Sequence, residues 1–161
     1  MRASRSSSRS PALFAYLAAL NVLDAEVLFS DVRVKDLLDP AITAPRSIER
    51  HHVFPKKYLA SLGISGTRQV NAIANMAFLD WAENAEISAS APSTYWPVMT
   101  SGLSNDRVKR QAYCHALPVG WEQLDYATFL ERRRDLIAQV VRDGFATMWS
   151  EHKPPPPVAV G

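Results

Sequence analysis

Ile48-Glu49-Arg50-His51-His52-Val53-Phe54-Pro55 is the stretch from which the chain is best read. Ser47 to Phe54 has the composition of a short strand, and Pro55 ends it. A short helix is expected from Lys56 to Leu62, stopped by Gly63. Two of the chain's four histidines stand side by side in the strand. Successive strand residues point to opposite faces, so His51 and His52 are expected to divide their work. Imidazole accepts a proton or binds a divalent cation near neutral pH. One metal ligand and one base is the natural division.

Downstream, Ser65-Gly66 marks a turn and Gln69 to Ile73 has no clear period. Asn75-Met76-Ala77-Phe78-Leu79 reads as a second strand, and Trp81 to Ile87 as a helix after it. The middle of the chain is therefore expected to run strand, loop, strand, helix. Asn75 opens the second strand and Asn84 lies in the helix. An amide oxygen is a hard neutral ligand for magnesium or manganese, and it also accepts a hydrogen bond from an imidazole. His51, His52, Asn75 and Asn84 thus have the chemistry of one base, one orienting group and two ligands. An asparagine at a turn also serves the backbone alone, and that reading stays open.

Upstream, residues 1–9 are rich in arginine and serine and are expected to be a disordered tail. Ser10-Pro11 reads as an N-cap and first helical residue, opening a helix to about Leu23. Val27-Leu28-Phe29 fits either strand or helix end. Val34 to Leu38 fits a short helix before Asp39-Pro40.

Further on, Ala91-Pro92 opens a segment containing Tyr95-Trp96-Pro97, and Leu117 to Trp121 reads as a turn. Asp106 to His115 reads as a positive helix, its face either solvated or set against DNA. The clearest helix, about 125–149, carries an apolar stripe of Tyr126, Phe129, Leu130, Ile137, Val140, Val141 and Met148. This is a packing helix. The tail, 153–161, contains Pro154 to Pro157 and is expected to be extended.

Composition bounds the function. The 161 residues suit one domain, over 10–152, and 47% hydrophobic content supports a core. A net charge of +2 and a pI near 8.8 are compatible with nucleic acid without demanding it. The single cysteine, Cys114, rules out an internal disulfide and a CxxC zinc site, and fits a reducing compartment. No apolar run reaches the length of a membrane helix, and no small-residue cleavage site follows Ala12 to Leu20. A cytoplasmic protein with no membrane partner is expected.

His51-His52-Val53-Phe54-Pro55, then Ala74 to Leu79, then Asn84, together resemble the HNH, or His-Me finger, nuclease superfamily. The nearer resemblance is to the C-terminal HNH domain of modification-dependent restriction proteins of the GmrSD type. Ile87-Ser88, Pro92-Ser93 with Tyr95, Leu117-Pro118 with Gly120-Trp121, and Phe129-Leu130 with Arg132-Arg133 extend it over roughly 10–150. The resemblance implies an α+β, mostly helical chain with a small ββα-metal core at about 47–90. It implies a metal-dependent DNA endonuclease, in a restriction or phage-defence setting, using one divalent ion, Mg2+ or Mn2+. By position, His52 matches the general base, Asn75 the residue that orients it, and His51 and Asn84 the metal ligands. Arg46, Arg50, Lys56, Lys57 and Arg68 flank the motif and serve either as phosphate contacts or as ordinary surface charge. Such relatives usually carry a large ParB-like NTPase domain upstream, for which this chain has no room. A truncated gene product, one piece of a split system with a separate NTPase or specificity subunit, or a free-standing nuclease is expected. The competing reading is a catalytically silent DNA-binding or partner-docking remnant of a larger restriction protein.

Overall fold

The computed structural model describes residues 10–38, 49–79, 87 and 89–151. The tails at 1–9 and 153–161, Arg46, Asn84 and most of the helix expected at 81–87 lie outside the described residues, as do the side chains of Glu49 and Arg50. The described residues are mostly helical, with one two-stranded antiparallel sheet among them. That is the α+β class expected.

Helix α1 spans Pro11–Val22, with Ser10 at its N-cap and Pro11 at the first position. Ser10 makes no side-chain capping bond; it is buried instead. Helix α2 is Val34–Leu38. Between them, Glu26 bridges Arg33 and Leu28 bridges Leu79 in parallel. Val27-Leu28-Phe29 is thus neither helix end nor full strand. Its turn places Phe29 at a φ of 66°, a region bulky residues seldom adopt. The Phe29 N–H donates to Gln111 Oε1 at 2.9 Å, which helps hold that conformation.

Strand β1 is Glu49–His52 and β2 is Met76–Leu79, paired with His51 opposite Ala77 and His52 opposite Met76. Helices α3 (Lys56–Ser61) and α4 (Thr67–Val70) fill the connection, followed by a 3₁₀ turn at Ile73–Asn75. The strand expected from Asn75 therefore begins one residue later. Asn75 closes the 3₁₀ turn because its side chain is engaged with backbone elsewhere, as described below. Gly63, at φ 76°, ends the α3 region as expected.

Helix α5 is Pro92–Thr100, with Pro97 inside it, and α6 is Asn105–Cys114, capped by the Ser104 hydroxyl accepting from the Arg107 N–H. A 3₁₀ turn at Trp121–Gln123 follows Gly120, which sits at φ 65°. Helix α7, Tyr126–Glu151, closes the fold. Its stripe holds at Tyr126, Phe129, Leu130, Ile137 and Val140, which are buried, whereas Met148 is exposed. Each buried aliphatic side chain of this kind contributes roughly 1.5–3 kcal/mol.

Helices α1 and α7 pack closely enough that a Cβ on Gly144 would meet the Cβ of Ala19 at 2.7 Å. The contact needs glycine for space. Near the start of α7, Phe54 meets Phe129 (4.7 Å between ring centroids), Tyr126 (5.2 Å) and Trp121 (6.1 Å). The residue two after His52 is thus anchored in the aromatic core.

The positive helix α6 is only partly a solvated face. Arg107 pairs with Glu26 at 2.9 Å, and Arg110 donates to the Leu23 carbonyl at 3.0 Å. Lys109 is exposed.

Candidate functional site

The antiparallel hairpin brings the end of β1 against the start of β2. The Val53 N–H donates to the Asn75 carbonyl at 2.8 Å, just past the His52–Met76 pair. Asn75 is fully buried. Its Oδ1 accepts from the Phe54 N–H at 2.8 Å, and its Nδ2 donates to the carbonyls of Phe54 (3.2 Å) and Val70 (3.0 Å). Tyr95 adds a hydrogen bond from its hydroxyl to the Val53 carbonyl at 2.7 Å. The turn leaving His52 is therefore fixed by one amide, one phenol and one aromatic cluster.

His51 and His52 are both half-buried. His52 Nε2 lies 2.9 Å from Asn71 Oδ1. With that oxygen accepting, Nε2 carries the proton and Nδ1 keeps its lone pair. Partial burial holds the His52 pKa below the usual imidazole range, and the Lys56 charge lowers it further; the Asn71 bond acts in the opposite sense. The ring is thus neutral near pH 7, the state a proton acceptor needs.

Asn75, matched in sequence to the residue that orients the base, acts in this geometry on the turn after His52. Asn71, at the end of α4, is the side chain that meets the ring itself. It fell in a segment without clear periodicity, and nothing local in the sequence aims it at His52.

Arg133 was also missed as a structural residue. It is fully buried on α7 and donates to the carbonyls of Ala74 (2.9 Å), Met76 (2.7 Å) and His115 (3.0 Å from Nη2). Two of those carbonyls flank Asn75. Burial lowers the pKa of Arg133, yet guanidinium remains charged in proteins. Among the described residues no carboxylate forms an ion pair with it; carbonyl oxygens take that place. A signal for it existed: position 133 follows Tyr126 by seven residues and precedes Ile137 by four, on the apolar stripe.

Lys56 and Lys57 are exposed at the start of α3, and Arg68 is exposed on α4. Arg50 contributes backbone to β1 but its side chain lies outside the described residues, as does all of Asn84. Among the described residues there is no group of three or more His, Cys, Asp or Glu side chains able to hold a metal ion. His51 supplies one imidazole next in sequence to His52, and Asn84, which the resemblance implies as a second metal ligand, lies outside the described residues. No helix among the described residues is long and apolar enough to cross a membrane.

Comparison of the chain with protein-family models, with curated proteins and with solved structures gives no match.

Proposed function

We propose that this chain is a metal-dependent DNA endonuclease of the His-Me finger kind, built on β1, β2 and the helix expected after them. The observation that carries this reading is the half-buried His52 imidazole, held at 2.9 Å by Asn71 and kept neutral by its surroundings. A hydrogen-bonded ring, desolvation that disfavours its cation and partial solvent access are together the surroundings in which general bases are commonly found.

In this reading His52 takes a proton from water through Nδ1. The oxygen left behind attacks phosphorus in line, the opposite P–O bond breaks, and the leaving oxygen takes up a proton from solvent. Asn71 fixes the ring, while Asn75, Tyr95 and Arg133 fix the turn and the 3₁₀ segment on which the ring and its partner depend. His51 and Asn84 would hold one divalent ion, Mg2+ or Mn2+, which when bound offsets the charge developing on the phosphate. Lys56 and Lys57, which follow the turn in sequence, offer phosphate contacts, and Arg50 and Arg68 belong to the same proposed set. A restriction or phage-defence role, with a separate NTPase or specificity subunit, belongs to the same proposal.

Supercoiled plasmid incubated with the protein and Mg2+, Mn2+ or EDTA tests it. Conversion to nicked or linear DNA in the metal lanes alone is the expected result. Intact plasmid in every lane, from protein shown to be folded, contradicts it.

A further inference from the structure

The described residues also form an open groove of about 590 Å³ between α1, α7 and the segment that links α4 to β2. Its floor is small and apolar, built from alanines of all three elements together with Ile73, Ile137 and Val141. Among the described residues two charged side chains line it, Arg68 and Arg134, and no acidic one does. Both arginines are exposed, and neither forms an ion pair with any described residue. The volume lies within the roughly 300–1,000 Å³ of small-molecule sites, which combine apolar walls with a few placed polar groups.

We propose that this groove is a binding site for a small aliphatic carboxylate, its chain on the alanine and isoleucine floor and its head between Arg68 and Arg134. Two guanidinium groups over an apolar slot match one anionic head on an apolar body. A nucleobase fits the slot poorly, because among the described residues Ser10 is the only lining side chain besides the arginines able to meet its polar edges, and unmet polar groups are costly to bury. The groove's wall, Ala72 to Ala74, lies between Asn71 and Asn75. An occupant therefore rests against the back of the segment that holds His52 and its turn, although its binding does not depend on nuclease activity.

Calorimetric titration with octanoate, and in parallel with octanol, tests the assignment. Octanoate is expected to bind saturably at one site and more tightly than octanol. Arg68→Gln with Arg134→Gln should weaken octanoate by about tenfold or more and change octanol less than about twofold. Ala138→Trp, on the exposed side of α7 at the groove, should abolish binding of both while circular dichroism stays native. Ala15→Phe, also exposed, provides a second block should Ala138→Trp fail to fold. Absence of saturable octanoate binding overturns the proposal. So does an octanoate affinity that survives removal of both arginines or the blocking of the groove in a folded variant.

Discussion

Asn75 holds Phe54 at both polar groups of its main chain: its Oδ1 accepts from the Phe54 N–H at 2.8 Å and its Nδ2 donates to the Phe54 carbonyl at 3.2 Å. With the bond to the Val70 carbonyl, one buried side chain satisfies three backbone groups. Asn75→Ala leaves them without that partner, at about 1–3 kcal/mol for each group that stays dry. The expected loss of stability is about 2–4 kcal/mol, read from the urea midpoint. A loss under about 1 kcal/mol would mean that the clamp is redundant.

The ring of His52 offers a second test. Its pKa lies below 6.5 because burial and Lys56 both disfavour the cation, while Asn71 favours it. Asn71→Ala should therefore move the His52 titration further down in pH, followed by NMR of the imidazole protons. A rise would show that Asn71 does not accept from the protonated ring.

Stability should depend on pH through His115. This ring is fully buried, its Nε2 lies 2.9 Å from the Glu26 carbonyl, and burial pushes its pKa from 6.5 down to about 4. Between those values the unfolded chain binds a proton that the folded chain refuses. Stability contributed by the neutral ring is thus complete above pH 6.5 and is lost as pH falls toward 4. At about 1.36 kcal/mol per pH unit, the full difference approaches roughly 3 kcal/mol. His115→Gln should flatten this part of the stability profile relative to wild type. An identical slope in both proteins would remove His115 as its source.

Gly144→Ala sets two effects against each other. Alanine favours a helix by about 1 kcal/mol over glycine. The new methyl, however, would sit 2.7 Å from the Ala19 Cβ and 2.8 Å from its Cα, where backbone rather than a flexible side chain must move. Overpacking of this kind costs typically about 1–3 kcal/mol, so the variant should melt lower than wild type. A higher melting temperature would show that α1 and α7 separate freely.

Local chemistry made much of this fold legible. Pro11 and Gly63 marked helix limits, and the composition of Ser47 to Phe54 marked a strand whose partner lies at Met76–Leu79. What remained hidden depends on contacts distant in sequence. Asn75 had the look of a strand residue, but its bonds to Phe54 and Val70 keep it in a 3₁₀ turn. Asn71 reaches His52 across 19 positions, and no local pattern encodes that meeting. Gln111 stood within a helix read for its positive charge, yet it is buried and joins α6 to Phe29, Ser30 and Glu26. Arg133 is the instructive case. Its helical phase pointed inward, but its charge led the eye outward. Pro97 likewise stands inside α5 although proline commonly disrupts helix interiors.

In the proposed metal-dependent DNA cleavage, His52 is the proton acceptor. The most direct measurement compares wild type with His52→Ala on supercoiled plasmid in Mg2+ or Mn2+, with EDTA lanes beside each and folding checked by circular dichroism. Wild type should nick the plasmid only with metal, and His52→Ala should lower the rate at least about 100-fold. Equal cleavage by the two proteins, or cleavage that persists in EDTA, would contradict it.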